Sequence, residues 1–523
     1  MTTYIYDTNQ TTNLDLGSGD EYYLLPGVSH YSTIGSVIDL TSGSAGVDIS
    51  VLGAIVGTSR ALGLDDATDV HVLIGTTGSV TAVESQFGIY SNGDDVHLTN
   101  LGTISSGQLY FAGENAEIIN TGTITGLFTD ISTIAAINGS GDNFSFMNSG
   151  TVTSVSSDIF QISNNATISN SGSLIGVSNG FDLNTSVGES VTISNSGLIQ
   201  TNADAITSSS GNLTLKNSGT VDGEITSSGT SAEDTIVNTG TILGDISLSG
   251  GADVVRNFGA IDGDIFLGDD ADIYRSIVNG VVAGAIEGGD GNDIISGGIG
   301  EDELIGDDGD DVLRGGERND ALFGGSGDDV LDGGSGDDVM RGHADNDRIF
   351  GKDGEDVLFG GTGDDILDGG LGEDVLYGEA QNDKLYGKDG NDILFGGDGD
   401  DILRGDAGDD ALYGGLGTDQ FYGGLGNDTF IFSDVLESPD SAARDIIRDF
   451  TQGEDLINVS QLSSPAFDFI GSSGFSGSAP EIRAVVGATG DTNLYLDTDG
   501  NGAADMRILV SGVDGLTSDD FIL

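Results

Sequence analysis

From Gly288 to Ile431 a large apolar residue returns at every ninth position. The positions between follow one template, G-G-x-G-x-D-x-U-x with U the apolar residue, through sixteen unbroken units. Gly324–Asp332 (GGSGDDVLD) and Gly360–Asp368 (GGTGDDILD) are typical. A nine-residue unit has one core residue and can bury it only by stacking on copies of itself. The glycines predict a turn over the first six positions, because they accept positive φ. The last three positions then read as a short strand pointing out, in and out, with Leu331 inward in the first of these examples. Two units per coil would give parallel ladders around a narrow core.

A looser pattern, apolar-x-Asn-x-Gly-x-apolar, fills residues 46–287. Its marks are Asn100, Asn120, Asn148, Asn170, Asn195, Asn217, Asn238, Asn257 and Asn279, spaced by 19 to 28 residues. That spacing predicts one coil of a parallel β-helix per mark. Strand alternation through Asn120-Thr121-Gly122-Thr123-Ile124 puts Asn120, Gly122 and Ile124 on one face and the threonines on the other. The asparagines are expected to bond from coil to coil. The pairs Thr121/Thr123, Ser149/Thr151, Ser171/Ser173, Ser218/Thr220 and Thr239/Thr241 would form a flat hydroxyl face suited to carbohydrate or a cell surface. Segments such as Gly250-Gly251-Ala252-Asp253-Val254 and Gly268-Asp269-Asp270-Ala271-Asp272-Ile273 resemble the later turns, and residues 1–45 are expected as a cap.

Charge changes the picture of the nonapeptides. Residues 288–431 carry 38 acidic and 8 basic side chains, and the whole chain 86 and 16. Carboxylates stacked at strand spacing repel one another unless a cation lies between them, so metal binding is expected to supply the folding free energy. Oxygen-only ligands on glycine turns suit calcium. The same charge argues against nucleic acid or an anionic membrane as partner. There is no cysteine for a disulfide or a thiolate site. No run of eighteen apolar residues is present, so no transmembrane segment is expected. Met1–Asp7 lack a basic region followed by an apolar one, so export is expected to be directed from elsewhere.

These units resemble the RTX, or repeats-in-toxin, calcium-binding proteins. The resemblance implies a parallel β-roll with the sixth-position carboxylates as ligands, helped by glycine carbonyls: Asp293, Asp302, Asp311, Asp320, Asp329, Asp338, Asp347, Asp356, Asp365, Asp374, Asp383, Asp392, Asp401, Asp410, Asp419 and Asp428. Arg318, Asp345 and Gln381 replace the fourth-position glycine, and their cages are expected to be imperfect. From Phe432 glycine thins out. Phe430–Asp434, Asp445–Phe450 and Gly453–Ile457 look like the domain that ends serralysin-type metalloproteases. That resemblance, over about residues 429–523, implies an uncleaved signal for type I secretion machinery. The protease itself is excluded, since no H-E-x-x-H occurs and the only histidines, His30, His71, His97 and His343, are scattered. Asp497, Asp499, Asn501 and Asp505 have the spacing of a further looped calcium site.

The chain thus reads as all-β: a parallel β-helix solenoid (46–287) continuing into an RTX β-roll (288–431), with a β-rich C-terminal domain (432–523). The expected protein is a secreted, bacterial calcium binder, extracellular or on the cell surface, that folds on calcium outside the cell. Its N-terminal solenoid is expected to bind or attach rather than catalyse. The layout is also similar to that of secreted mannuronan epimerases and polysaccharide lyases, which leaves a uronan-modifying enzyme as the alternative. Such chemistry needs Tyr, His or Lys to move a proton and a cation or arginine to neutralise the carboxylate. Residues 1–287 hold only Arg60, Lys216, Arg256 and Arg275 as basic residues, with no dense cluster of His, Tyr and Arg.

Overall fold

The computed structural model describes all residues except 1, 7, 9, 11–13, 33–35, 41–42, 59, 84–86, 127–134, 156 and 441–443. The chain divides into two units, Met1–Ala285 and Ile286–Leu523. Among the described residues there is no α-helix; apart from one 3-10 turn at Ser518–Asp520, the regular structure is strand.

In the first unit each coil has three strands, and like strands of successive coils pair in parallel. Phe144–Asn148, Thr151–Ser154 and Phe160–Ile162 make one coil. They pair with Ala166–Asn170, Ser173–Ile175 and Phe181–Leu183 in the registers Asn148↔Asn170, Thr151↔Ser173 and Phe160↔Phe181. The interior is a column of buried Ile, Val, Leu and Phe, with Phe160 and Phe181 stacked at 4.7 Å. The strands Thr3–Tyr6 and Glu21–Leu24, inside the expected cap, pair in parallel with each other, and Glu21–Leu24 pairs with Ala45–Val51. The parallel ladder of the solenoid therefore already includes these two strands.

The Asn-x-Gly mark is a corner rather than a stretch of strand. Asn120 ends one strand and Thr123 begins the next, on a different sheet. The corner explains the glycine, because a Cβ on Gly150 would run into the carbonyl oxygen of Gly122, and one on Gly172 into that of Gly150. The expected asparagine ladder is present. Nδ2 of Asn100 donates to Oδ1 of Asn120 at 2.7 Å, and the same bond links Asn120 to Asn148 (2.8 Å), Asn148 to Asn170 (2.8 Å) and Asn170 to Asn195 (2.8 Å). It continues through Asn217 and Asn238 to Asn257. Asn279 is not a member: the register partner of Asn257 is Ser276.

In the second unit the coil has two sides and eighteen residues. Val330–Ser335 pairs with Arg348–Asp353, while Ala321–Ser326 pairs with Val339–Ala344 on the other side. Each strand is longer than the repeat suggests: Val330–Ser335 covers the last three positions of one unit and the first three of the next. Only three residues, such as Gly327-Asp328-Asp329, are left for the turn. The inward residues are as expected, with every apolar eighth position from Ile295 to Phe430 at 0 % exposure. The ladders then accept two strands from beyond the array. Ile446–Ile447 pairs with Gln420–Leu425, and Leu456–Asn458 with Thr429–Ile431. These are joined by an antiparallel sheet of Glu481–Val486, Thr492–Asp497 and Met506–Val510, whose last strand pairs with Ile446–Ile447.

Candidate calcium centre

The tight turn fixes where each sixth-position carboxylate goes. The side chain follows two glycine-permitted bends, at Gly325 (φ 117°) and Gly327 (φ 124°), and turns inward rather than to solvent. Asp329 is buried, and one of its oxygens is spent on the protein: Oδ1 accepts the N–H of Asp311 at 2.8 Å, eighteen residues earlier. Asp338 does the same for Asp320 at 2.8 Å on the opposite side. The other oxygen, Oδ2, is buried without a hydrogen-bond partner in Asp302 and in every sixth-position aspartate after it. A polar atom buried in this way is costly, and a column of them calls for a ligand.

Glycine at the first position opens the space for that ligand. A Cβ on Gly324 would overlap Oδ2 of Asp329 and stand 2.9 Å from the carbonyl oxygen of Gly342, one coil away. The arrangement recurs at Gly342, where a Cβ would overlap Asp347 Oδ2 and stand 2.8 Å from the carbonyl of Gly360. Carboxylate and carbonyl oxygens thus converge on one point per turn, the donor set calcium takes. Burial pushes these carboxyls up, to about 6 in Asp311, about 7 in Asp329, about 8 in Asp347 and Asp383, and about 9 in Asp419, with neighbouring carboxylates adding to the rise. Bound calcium would replace those protons.

The turns carrying Arg318, Asp345 and Gln381 keep this geometry. Each replacement takes positive φ (79°, 75° and 78°). Their aspartates accept from one coil back as the others do: Asp302 N–H to Asp320 Oδ1 at 2.8 Å, Asp329 to Asp347 at 2.9 Å and Asp365 to Asp383 at 2.8 Å. The expected imperfection is a matter of backbone strain, not of ligand placement.

Two sets of aspartates outside the nonapeptides make the same backbone-to-carboxylate bond. Asp419 N–H donates to Asp445 Oδ1 at 2.9 Å, and Asp428 N–H to Asp455 Oδ1 at 3.1 Å. The signal was an aspartate two places before a buried apolar residue, in Asp445-Ile446-Ile447 and Asp455-Leu456-Ile457, but without the glycines around it. In the first unit, Asp234 N–H donates to Asp253 Oδ1 and Asp253 N–H to Asp272 Oδ1, each at 2.6 Å. Five residues before Asp253 and Asp272 stand Leu248 and Leu267, where the array has its space-making glycine. The hydrogen bond is shared; the glycine that clears the cage is not.

Of the separate loop, the structure brings Asp497, Asp499 and Asp505 within 4.8 Å of one another. Asp497 accepts from the N–H of Asn501 (3.1 Å) and Gly502 (2.7 Å), and Asp505 from that of Thr498 (2.8 Å). Asn501 Oδ1 accepts from Ala503 N–H at 2.8 Å and its Nδ2 donates to Asp499.

The five pairs do not lie together on one flat hydroxyl face. The corner separates the members of each pair, and Ser171, Ser218 and Thr239 spend their hydroxyls on the carbonyls of Asn148 (3.2 Å), Asn195 (3.3 Å) and Asn217 (3.1 Å). Over the asparagine ladder lies instead a cleft of about 560 Å³, lined by Met147, Ser149, Ser171, Lys216 and Val237 among others. A second cleft, of about 280 Å³, is lined by Tyr23, Asp48, His71 and His97. Here the coil period gathers what the sequence scatters. His71 and His97 stack at 5.1 Å, with His97 Nδ1 2.9 Å from Glu117 Oε2 and His71 Nδ1 3.5 Å from Asp48 Oδ1.

Residues 285–313, 305–340, 314–349, 341–376, 359–394, 368–403 and 395–430 match the family described as RTX calcium-binding nonapeptide repeat (4 copies). No curated protein is significantly similar to the chain. Among solved structures, the R2 subunit of the Azotobacter vinelandii mannuronan C5-epimerase AlgE6 is 28% identical with a TM-score of 0.22, over 28% of this chain and 90% of that one. The R3 subunit of the same enzyme is 29% identical with a TM-score of 0.16, over 29% of this chain and 78% of that one. Paired glycines, buried aspartates and an inward apolar residue every nine positions are thus the parts of one device, and residues 285–430 are RTX calcium-binding repeats.

Proposed function

We propose that the chain is a secreted protein whose second unit sets on calcium outside the cell and whose first unit is a binding or surface-attachment module. The observation that carries the calcium part is the column of buried Oδ2 atoms, many of them, such as those of Asp329 and Asp347, facing a glycine carbonyl of the next coil. The ligands are the sixth-position aspartates Asp293 to Asp428. Asp497, Asp499, Asn501 and Asp505 would form a further site in their loop. In a calcium-poor cytosol the array would stay unfolded through carboxylate repulsion and the entropy of its glycines. Calcium titration followed by circular dichroism tests this: equal β content in EDTA and in millimolar calcium at neutral pH would refute it.

Residues 432–523 would act as the signal for type I secretion, resting on their resemblance to the end of serralysin-type proteases. Deleting them should retain the protein inside the producing cell, and continued export would place the signal elsewhere. The attachment role rests on the cleft over the asparagine ladder, whose Ser and Asn lining and single lysine suit a neutral or acidic glycan. Glycan arrays and cell-retention assays in calcium would show binding, and blank results in both would sink it.

One observation favours a second reading, an enzyme acting on uronate chains. Tyr23, His71 and His97 share a cleft, and carboxylates beside both imidazoles hold their Nδ1 atoms, the arrangement a proton-transferring site needs. Turnover of polyuronates that vanishes in His71→Gln and His97→Gln would establish it; no turnover by the calcium-loaded protein would dismiss it.

A further inference from the structure

We infer that one of the two carboxylate ladders runs past the last nonapeptide and that Asp445 is its terminal calcium ligand, tying the segment after residue 432 to the array. This rests on the calcium reading of the array itself. The register Gln420↔Ile446 and Phe421↔Ile447 puts Asp445 where the next sixth-position aspartate would stand, although 26 residues separate it from Asp419 instead of the array's 18.

Asp445 has the same signature as the array residues. It is 1% exposed, its Oδ1 is held by the Asp419 N–H, and its Oδ2 is buried without a partner. Asp419 Oδ2 is likewise unpartnered. Glu437 adds a third buried negative group beside Asp445, its own oxygens held by the N–H (2.9 Å) and hydroxyl (2.7 Å) of Ser433.

The opposite ladder supplies an internal control. Asp455 accepts from Asp428 N–H through Oδ1, but its Oδ2 accepts the N–H of Thr451 at 2.7 Å. Its Oδ2 is therefore not left buried and unpartnered as that of Asp445 is.

Two measurements on the full chain test the inference. In crystals grown with calcium, the anomalous difference map should show a peak between Asp419 and Asp445 as well as along the array. Asp445→Asn keeps the acceptor for Asp419 N–H and should bind about one calcium fewer per chain at saturation, while Asp455→Asn binds the wild-type number. Array peaks with none at Asp445, or an unchanged count in folded Asp445→Asn, would overturn the terminal site alone. An array without peaks would overturn the parent reading with it. If Asp445→Asn fails to fold, the wild-type map decides.

Discussion

The backbone N–H of Asp329 donates to Oδ1 of Asp347, 2.9 Å away and one coil further on. This bond decides the chemistry of the turn. It consumes one carboxylate oxygen, orients the other toward the glycine carbonyls, and holds Asp347 in a dry site where its carboxyl is pushed up to about 8. Structure and metal binding therefore draw on opposite oxygens of a single side chain.

Without metal, the fold should depend on pH in the sense opposite to ordinary acid denaturation. Array aspartates titrate at about 6 to about 9 when folded, above their ordinary 3.8. Below about pH 4 both states are protonated and the metal-free fold keeps its full stability; this is lost progressively as pH climbs through the folded values. Circular dichroism in EDTA should show more β structure at pH 4.5 than at pH 8, and calcium should restore it at pH 8. Loss of structure on acidification in EDTA would contradict this.

Gly324→Ala should empty one cage, because the new methyl takes the space of Asp329 Oδ2. We expect about one calcium fewer by equilibrium dialysis and a loss of roughly 1–3 kcal/mol in calcium-loaded stability. An unchanged count would mean that the ion sits elsewhere in the turn.

Arg318→Gly should do the reverse. Arg318 holds φ 79°, which costs a non-glycine residue on the order of 1 kcal/mol. Thermal unfolding in saturating calcium should rise accordingly, with no change in calcium number.

Asn170→Ala removes the acceptor for Asn148 Nδ2 and the donor to Asn195, and leaves Gly172 N–H without its 3.2 Å bond to Oδ1. Gly172 N–H keeps the Asn148 carbonyl and Asn148 Nδ2 that of Gly150, so the loss of these bonds should lower the unfolding free energy by about 1–3 kcal/mol. A loss no larger than that of an exposed Ser-to-Ala change would demote the ladder to decoration.

Much of this was legible in the sequence because each coil repeats the same local conflict. A buried Leu331, a buried Asp329 and two glycines recur in fixed phase, so period, side and chemistry follow from one unit. The asparagine marks announced their ladder in the same way. What escaped was whatever depends on coil length. His71 and His97 are 26 residues apart, yet they stack, because that is one turn of the first unit. Asp445 sits 26 residues beyond Asp419 and has no glycine signature, so only the pairing of Ile446–Ile447 reveals its place. The hydroxyl face was misread because Asn-x-Gly turns a corner that strand alternation does not foresee.

The N–H groups of Asp419 and Asp428 find their acceptors only in Asp445 and Asp455. A ribosome adds those two residues after every nonapeptide has been made. The two ladders therefore gain their last acceptors only once the whole array has been synthesised.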